Sequence, residues 1–173
     1  IKRLLTAMKK IVDYKKLGVL MTDNNKNYQF SIKEIEKLQK GLGFEIVELS
    51  SSNLIRLNKL LAKEKPDAIY IPAHGNVDIH MFDIIKAHNI PTIAEDTEDV
   101  RMRGALLALV VDGYRAGRLA ARKAVEILNS GHLPRQPITS IEYFMFVVNL
   151  MTASRLGVEI PMPYLIIADQ IIR

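Results

Sequence analysis

One stretch of the sequence decides the fold, and it runs Asp96-Thr97-Glu98-Asp99-Val100-Arg101-Met102-Arg103-Gly104-Ala105-Leu106. A short apolar segment precedes it at residues 91–94, and the apolar run that follows closes on the aspartate-led segment 112–118. This pattern predicts an acidic loop after one strand, a turn of small residues, a second strand and then a helix. Polar groups would then lie at the carboxyl end of a parallel strand, where open α/β sheets bind their ligands.

Outward from this stretch, apolar periodicity predicts strands that alternate with helices. The predicted strands are residues 17–21, 44–49, 67–71, 91–94 and 105–111, and the main predicted helices are residues 2–13, 32–42, 54–63, 77–87 and 114–129. A further strand is predicted at 141–148, with short helices near 150–156 and after Pro163. This alternation is typical of parallel βαβ units, so we predict an α/β three-layer sandwich with a mainly parallel five-stranded sheet.

Composition limits the class of protein. With 173 residues, of which 49% are hydrophobic, the chain can bury one sizeable core. It has no cysteine, which excludes disulfides and thiolate chemistry, and no apolar run approaches the roughly 20 residues of a membrane span. It begins at Ile1 without a signal peptide, so we expect a mature or trimmed product with upstream sequence missing.

The net charge of +5 raises the question of nucleic-acid binding. The basic residues near the start of the chain alternate with apolar residues at helical spacing, as on the solvent-facing side of an amphipathic helix. No aromatic residues interleave with them to stack on bases. Nucleic acid is therefore not a predicted partner.

Four polar loops are expected at one edge of the sheet, at residues 22–28, 50–53, 73–76 and 95–99. Free backbone N–H groups at helix starts suit a carboxylate or phosphate. Asp96, with Glu95 nearby, could pair with an ammonium group, so an amino acid would fit both features. The ring of Tyr28 could cover the apolar part of such a ligand, whereas Phe30 is expected to pack under its helix and Tyr70, within a strand, to be core. The alternative is that polar residues such as Asp23 and Asn76 only cap helices.

Catalysis has little support in the sequence. The acids of residues 95–99 could hold Mg²⁺, because that ion prefers hard oxygen ligands. The histidines do not cluster at metal-binding spacing, and neither a nucleophile elbow nor a phosphate-binding glycine motif is present. We therefore predict no enzyme, with no catalytic residue, no cofactor and no metal site. A metal-dependent α/β enzyme that uses the acidic loop remains an alternative.

The chain resembles the substrate-binding proteins of bacterial ABC transporters with the type I periplasmic-binding fold, in the branch that includes tryptophan-binding and other aromatic-amino-acid-binding members. The segments that carry the resemblance are residues 17–20, 43–48, 66–72, 89–94, 104–106, 112–117, 147–153 and 156–161. Such proteins have two α/β lobes joined by a hinge. The chain is similar to the C-terminal lobe with its returning elements, while the N-terminal lobe is absent. The resemblance divides the chain into a ligand-binding lobe (1–112), a hinge-proximal helix and connection (113–140), and a returning strand with terminal helices (141–173).

The resemblance also implies the site and the role. Ligand-facing positions would be Asp23, Asn24, His74, Gly75, Asn76 and Asp96, to which the residue-level argument adds Tyr28. The implied function is solute binding between two lobes, without chemical conversion, for an ABC importer. The implied partners are a small-molecule ligand and a transporter permease. The implied location is periplasmic or extracellular, and membrane contact would come only through the permease or a lipid anchor outside this chain. A homodimer that covers exposed sheet elements and a ligand-sensing role in a signalling protein are open alternatives.

Overall fold

The computed structural model describes residues 1–21, 28–50, 52–73, 77–132 and 144–173. Helices and strands alternate along the chain, as the apolar periodicity predicts. In chain order, the elements are α1 (Lys2–Ile11), β1 (Lys16–Met21), α2 (Tyr28–Leu42), β2 (Glu45–Ser50), α3 (Leu54–Glu64), β3 (Ala68–Ile71), α4 (Ile79–Ala87), β4 (Thr92–Ala94), α5 (Thr97–Arg101), β5 (Leu107–Val111), α6 (Gly113–Ser130), β6 (Phe144–Asn149), α7 (Leu150–Leu156), α8 (Met162–Ile166) and β7 (Gln170–Ile172).

The strands form one seven-stranded sheet in the order β2-β1-β3-β4-β5-β6-β7. The strands from β1 to β5 are parallel, β6 runs antiparallel to β5, and β7 is parallel to β6. The predicted α/β fold with a mainly parallel sheet is therefore confirmed, but the predicted number of five strands is wrong. The predicted strand at 141–148 joins the same sheet as β6. The other added strand, β7, has three residues, too few to give a periodic signal.

Helices cover both faces of the sheet and enclose two apolar clusters. Because successive strand residues point to opposite faces, Leu17 and Val19 pack with Leu4 of α1 on one face, while Leu20 packs with Leu57 of α3 on the other. Helices α1 and α2 supply the first cluster, and α3 and α4 supply the second. These are the layers of the predicted sandwich.

The crossover between β4 and β5 differs from its prediction. Instead of a loop alone, the segment forms α5, a helix of five residues. The Oδ1 atom of Asp96 accepts a hydrogen bond from the N–H of Glu98 at 2.9 Å and so caps this helix. Within this helix, Asp99 and Val100 are buried. The acidic stretch therefore contributes to the packing as well as to the surface.

Buried polar contacts attach the end of the chain to this crossover. Asn149, only 2% exposed, donates from Nδ2 to the carbonyl oxygen of Val100 at 2.8 Å. Its Oδ1 atom accepts from the N–H of Thr152 at 2.9 Å and caps α7. The hydroxyl of Thr152 donates to the carbonyl of Gly104. The returning elements thus pack on the same sheet as residues 1–112.

The long helix α6 packs differently from the others. It has 18 residues, and none of them is buried. One side carries exposed apolar side chains at helical spacing, with Tyr114 76%, Val125 55% and Leu128 81% exposed. We call these three residues the apolar face of α6. Among the described residues, no helix is long and apolar enough to cross a membrane.

Candidate functional site

The candidate site lies at one edge of the sheet, which we call the carboxyl edge. Because β2, β1, β3, β4 and β5 are adjacent and parallel, their carboxyl ends lie side by side there. The predicted site loops leave the sheet at this edge, after Met21, Ile71 and Ala94. The predicted residues Asp23, Asn24, His74, Gly75 and Asn76 lie outside the described residues. Tyr28 begins α2, and its side chain also lies outside them.

Asp96 is the predicted site residue whose side chain the structure describes. It follows β4 at the carboxyl edge and is exposed. Its capping bond to the Glu98 N–H uses Oδ1, while Oδ2 makes no hydrogen bond with a described residue. Sequence analysis gave helix capping as an alternative role for residues such as Asp23, and the structure shows that Asp96 caps a helix. A capping carboxylate is held in one orientation, and this leaves the second oxygen accessible to another donor.

Glu95 connects the ends of β3 and β4. Its backbone N–H donates to the carbonyl of Ile71 at 3.2 Å, and its Oε2 atom accepts from the N–H of Ala73, also at 3.2 Å. Tyr70, which the sequence predicts to be core, is fully buried. Burial raises the pKa of Tyr70, and the neighbouring Glu95 carboxylate raises it further. The Tyr70 hydroxyl has no hydrogen-bond partner among the described residues, and the Glu95 carboxylate acts on it through its charge.

Asp99 is buried, with only 5% of its surface exposed. Its Oδ1 atom pairs with Nη1 of Arg103 at 2.7 Å, and the same nitrogen donates to the carbonyl of Val77 at 3.4 Å. Burial raises the pKa of Asp99, while the hydrogen bond and charge of Arg103 oppose that rise. The negative charges of Asp96 and Glu98 act in the same direction as burial. In the part of the chain that the structure describes, no three His, Cys, Asp or Glu residues are grouped to hold a metal ion.

Replacing Arg103 by Gln is expected to lower the free energy of unfolding by about 2 kcal/mol at pH 7, because a buried carboxylate loses its counter-charge. In this variant the folded-state pKa of Asp99 rises further above its unfolded value. Such a group contributes stability that is present at low pH and is lost as pH rises through the folded-state pKa. The deficit of the variant should therefore shrink as pH falls from 7 to 5, as chemical denaturation at each pH can measure.

The double variant Asp99→Asn/Arg103→Gln is the control, because it removes the buried charge together with its partner. Its stability difference from the wild type should vary less over the same pH range than that of Arg103→Gln, because only the wild type's Asp99 then titrates. A deficit of Arg103→Gln that is the same at pH 5 and pH 7 would contradict the assigned role of Asp99.

The structure also reveals residues that the sequence analysis left out of the site. Asp112 follows β5 at the carboxyl edge and caps α6 through the N–H of Arg115. Its signal was visible, since an acid follows an apolar strand and precedes a helix, as at Asp96. Glu95 was identified only as an acid near Asp96, and its contacts to Tyr70 and Ala73 could not be predicted because they join residues that are distant in sequence.

Comparison with known proteins agrees with this geometry. Residues 3–172 match the family described as ABC transporter substrate binding protein. The chain belongs to this family. The tyrosine-binding protein of Clostridioides difficile strain R20291 is 25% identical over 150 residues, which make up 84% of this chain and 43% of that protein.

Two solved structures have the same fold. One is a protein of Streptococcus pneumoniae in complex with L-Trp, with a TM-score of 0.78 and 20% identity, and it matches over 99% of this chain and 61% of that one. The other is the ligand-free, open form of a Clostridium difficile substrate-binding protein with adhesive properties, with a TM-score of 0.81, 21% identity and coverage of 99% and 59%. At these identities the likeness shows the fold. The chain spans between about two fifths and three fifths of the length of these relatives.

Proposed function

We propose that the protein containing this chain is the solute-binding component of an ABC importer. Outside the cytoplasm, it binds a small molecule at the carboxyl edge, between two lobes. It then releases this molecule unchanged to a transporter permease. Family membership supports this role, and the observation that carries it is the edge itself, where adjacent parallel strands end beside an exposed, oriented aspartate. Ligand that bridges two lobes favours the closed state by population shift.

An amino acid is the proposed ligand. The named relatives are a tyrosine-binding protein and a protein solved with L-Trp. A free amino acid carries an ammonium group and a carboxylate. At the carboxyl edge, the carboxylate of Asp96 can pair with the ammonium group. We assign the ammonium group to Asp96. We assign further ligand contacts to the loops after β1 and β3, at Asp23, Asn24, Tyr28, His74, Gly75 and Asn76.

Replacing Asp96 by Asn tests this assignment. Asparagine caps a helix about as well as aspartate, so α5 should persist while the negative charge is lost. We expect the affinity for L-tyrosine or L-tryptophan, measured by calorimetry, to fall by about tenfold to a hundredfold, because the asparagine oxygen keeps the cap and the free carboxylate oxygen is replaced by an NH2 group, which cannot accept from the ammonium.

Glu98→Gln is the matched control, since Glu98 is an exposed acid on the same helix and is not assigned to the ligand. It should bind like the wild type. An unchanged affinity in Asp96→Asn would remove Asp96 from the site.

We also propose that residues 113–140 lie next to a second lobe. The apolar face of α6 supports this, because exposed apolar residues that lie together on one side of a helix commonly mark a surface that a partner covers. This chain leaves about two fifths or more of each relative's length uncovered, which could supply that lobe. The apolar face would then be buried between the lobes.

A further inference from the structure

The connection between β3 and α4 is contacted at both of its described ends by residues from the stretch 95–103. At its start, the N–H of Ala73 donates to Oε2 of Glu95 at 3.2 Å. At its end, the carbonyl of Val77 accepts from Nη1 of Arg103 at 3.4 Å. Neither contact belongs to the sheet or to a helix. Ala73 and Val77, at the described ends of the connection, are therefore held by side chains from the stretch 95–103.

The position of Glu95 is itself fixed by two neighbouring residues of β3. Its backbone N–H is bonded to the carbonyl of Ile71, which ties it to the last residue of β3. Its carboxylate lies next to the hydroxyl of Tyr70, a fully buried side chain whose oxygen has no hydrogen-bond partner among the described residues. A carboxylate has acceptor capacity for several donors. Glu95 can therefore satisfy the Ala73 N–H while facing a buried polar group on its other side.

Arg103 is held just as firmly at the far end. Its guanidinium pairs with the buried Asp99 at 2.7 Å and lies over the ring of Phe82 in α4, 6.0 Å from its centroid. Its bond to Val77 thus starts from a side chain that is already anchored. Glu95 and Arg103, from one stretch of the chain, thus contact both described ends of the connection.

We propose that Glu95 is a positioning residue. By accepting a hydrogen bond from the N–H of Ala73, it sets where the connection between β3 and α4 leaves the sheet. Arg103 sets where the same connection enters α4. This inference rests on the proposed function, because the connection is one of the loops assigned to the ligand. It adds that the stretch carrying Asp96 also holds Ala73 and Val77, the described ends of the neighbouring ligand loop.

The test compares Glu95→Ala with Glu95→Gln in the full-length protein. Alanine removes the acceptor of the Ala73 N–H, whereas glutamine keeps an oxygen there. By hydrogen exchange, we expect the Ala73 amide to exchange about fivefold to tenfold faster in Glu95→Ala, and near the wild-type rate in Glu95→Gln. By calorimetry with L-tyrosine and L-tryptophan, affinity should fall about tenfold in Glu95→Ala and recover in Glu95→Gln. Glu98→Ala, a neighbouring exposed acid, should change neither measurement.

Two outcomes would overturn the proposal: wild-type exchange at Ala73 in Glu95→Ala, or a Glu95→Gln variant that behaves like Glu95→Ala in both measurements. Faster exchange in Glu95→Ala with unchanged affinity would also overturn it, because the loop would then move without consequence for the ligand. If the wild-type protein binds neither amino acid, the proposed ligand is wrong, while exchange at Ala73 still decides whether Glu95 holds the connection.

Discussion

Replacing Asn149 by Asp is expected to lower the free energy of unfolding by about 3 kcal/mol at pH 7. The buried amide donates to the carbonyl of Val100 and accepts from the N–H of Thr152, so it uses both of its polar atoms. Aspartate keeps the acceptor for Thr152 but turns a negatively charged oxygen toward the carbonyl of Val100. Chemical denaturation measures the loss.

Two further measurements separate the causes of that loss. At pH 4 the deficit should shrink, because a protonated carboxyl can again donate to Val100. Asn129→Asp is the matched control, because Asn129 is exposed near the end of α6, and its effect should stay within about 0.5 kcal/mol. A stability of Asn149→Asp equal to that of the control would show that the bond to Val100 does not hold the returning elements in place.

The apolar face of α6 is expected to give an effect of similar size in the full-length protein. The double variant Val125→Glu/Leu128→Lys should lower the free energy of unfolding by about 3 kcal/mol or more, because each side chain loses its burial against the proposed second lobe. The new charges stand three residues apart on one helix and attract each other, so α6 itself should persist. Thermal unfolding followed by calorimetry measures the change.

Arg122→Gln is the control for this variant, since Arg122 is an exposed polar residue of the same helix. Its unfolding temperature should match that of the wild type. Unchanged stability of the double variant would contradict a covering lobe. A shift from dimer to monomer in sedimentation would instead assign the apolar face to a second copy of the chain.

The sequence predicts most of the sheet because the central strands are apolar throughout. Strand β1 is a clear case: five of its six residues are buried, and no amphipathic helix has such a run. The predictions are wrong where an element is too short to show a period or where a contact joins residues that are distant in sequence. Strand β7 and helix α5 have three and five residues, so neither shows a period. Phe30, predicted to pack beneath α2, is 68% exposed, because Ile32 and Ile35 occupy the buried side of that helix.

The candidate site was only partly predictable for a related reason. Asp96 could be found, because an acid after an apolar strand and before a helix is a local pattern. The bond from Ala73 to Glu95 joins residues 22 positions apart, and the bond from Asn149 to Val100 spans 49. Such contacts depend on the order of the strands within the sheet, which composition and periodicity do not encode.

The two outermost strands, β2 and β7, form the rims of the sheet and have a consequence for self-association. A rim strand presents unpaired backbone groups that can add a strand from another molecule. At one rim, β2 carries the exposed glutamates Glu45 and Glu48, and at the other, β7 offers only three residues. Negative charge at one rim and brevity at the other both discourage polymerisation by strand addition. Copies of this protein that do meet should therefore join through their helical layers.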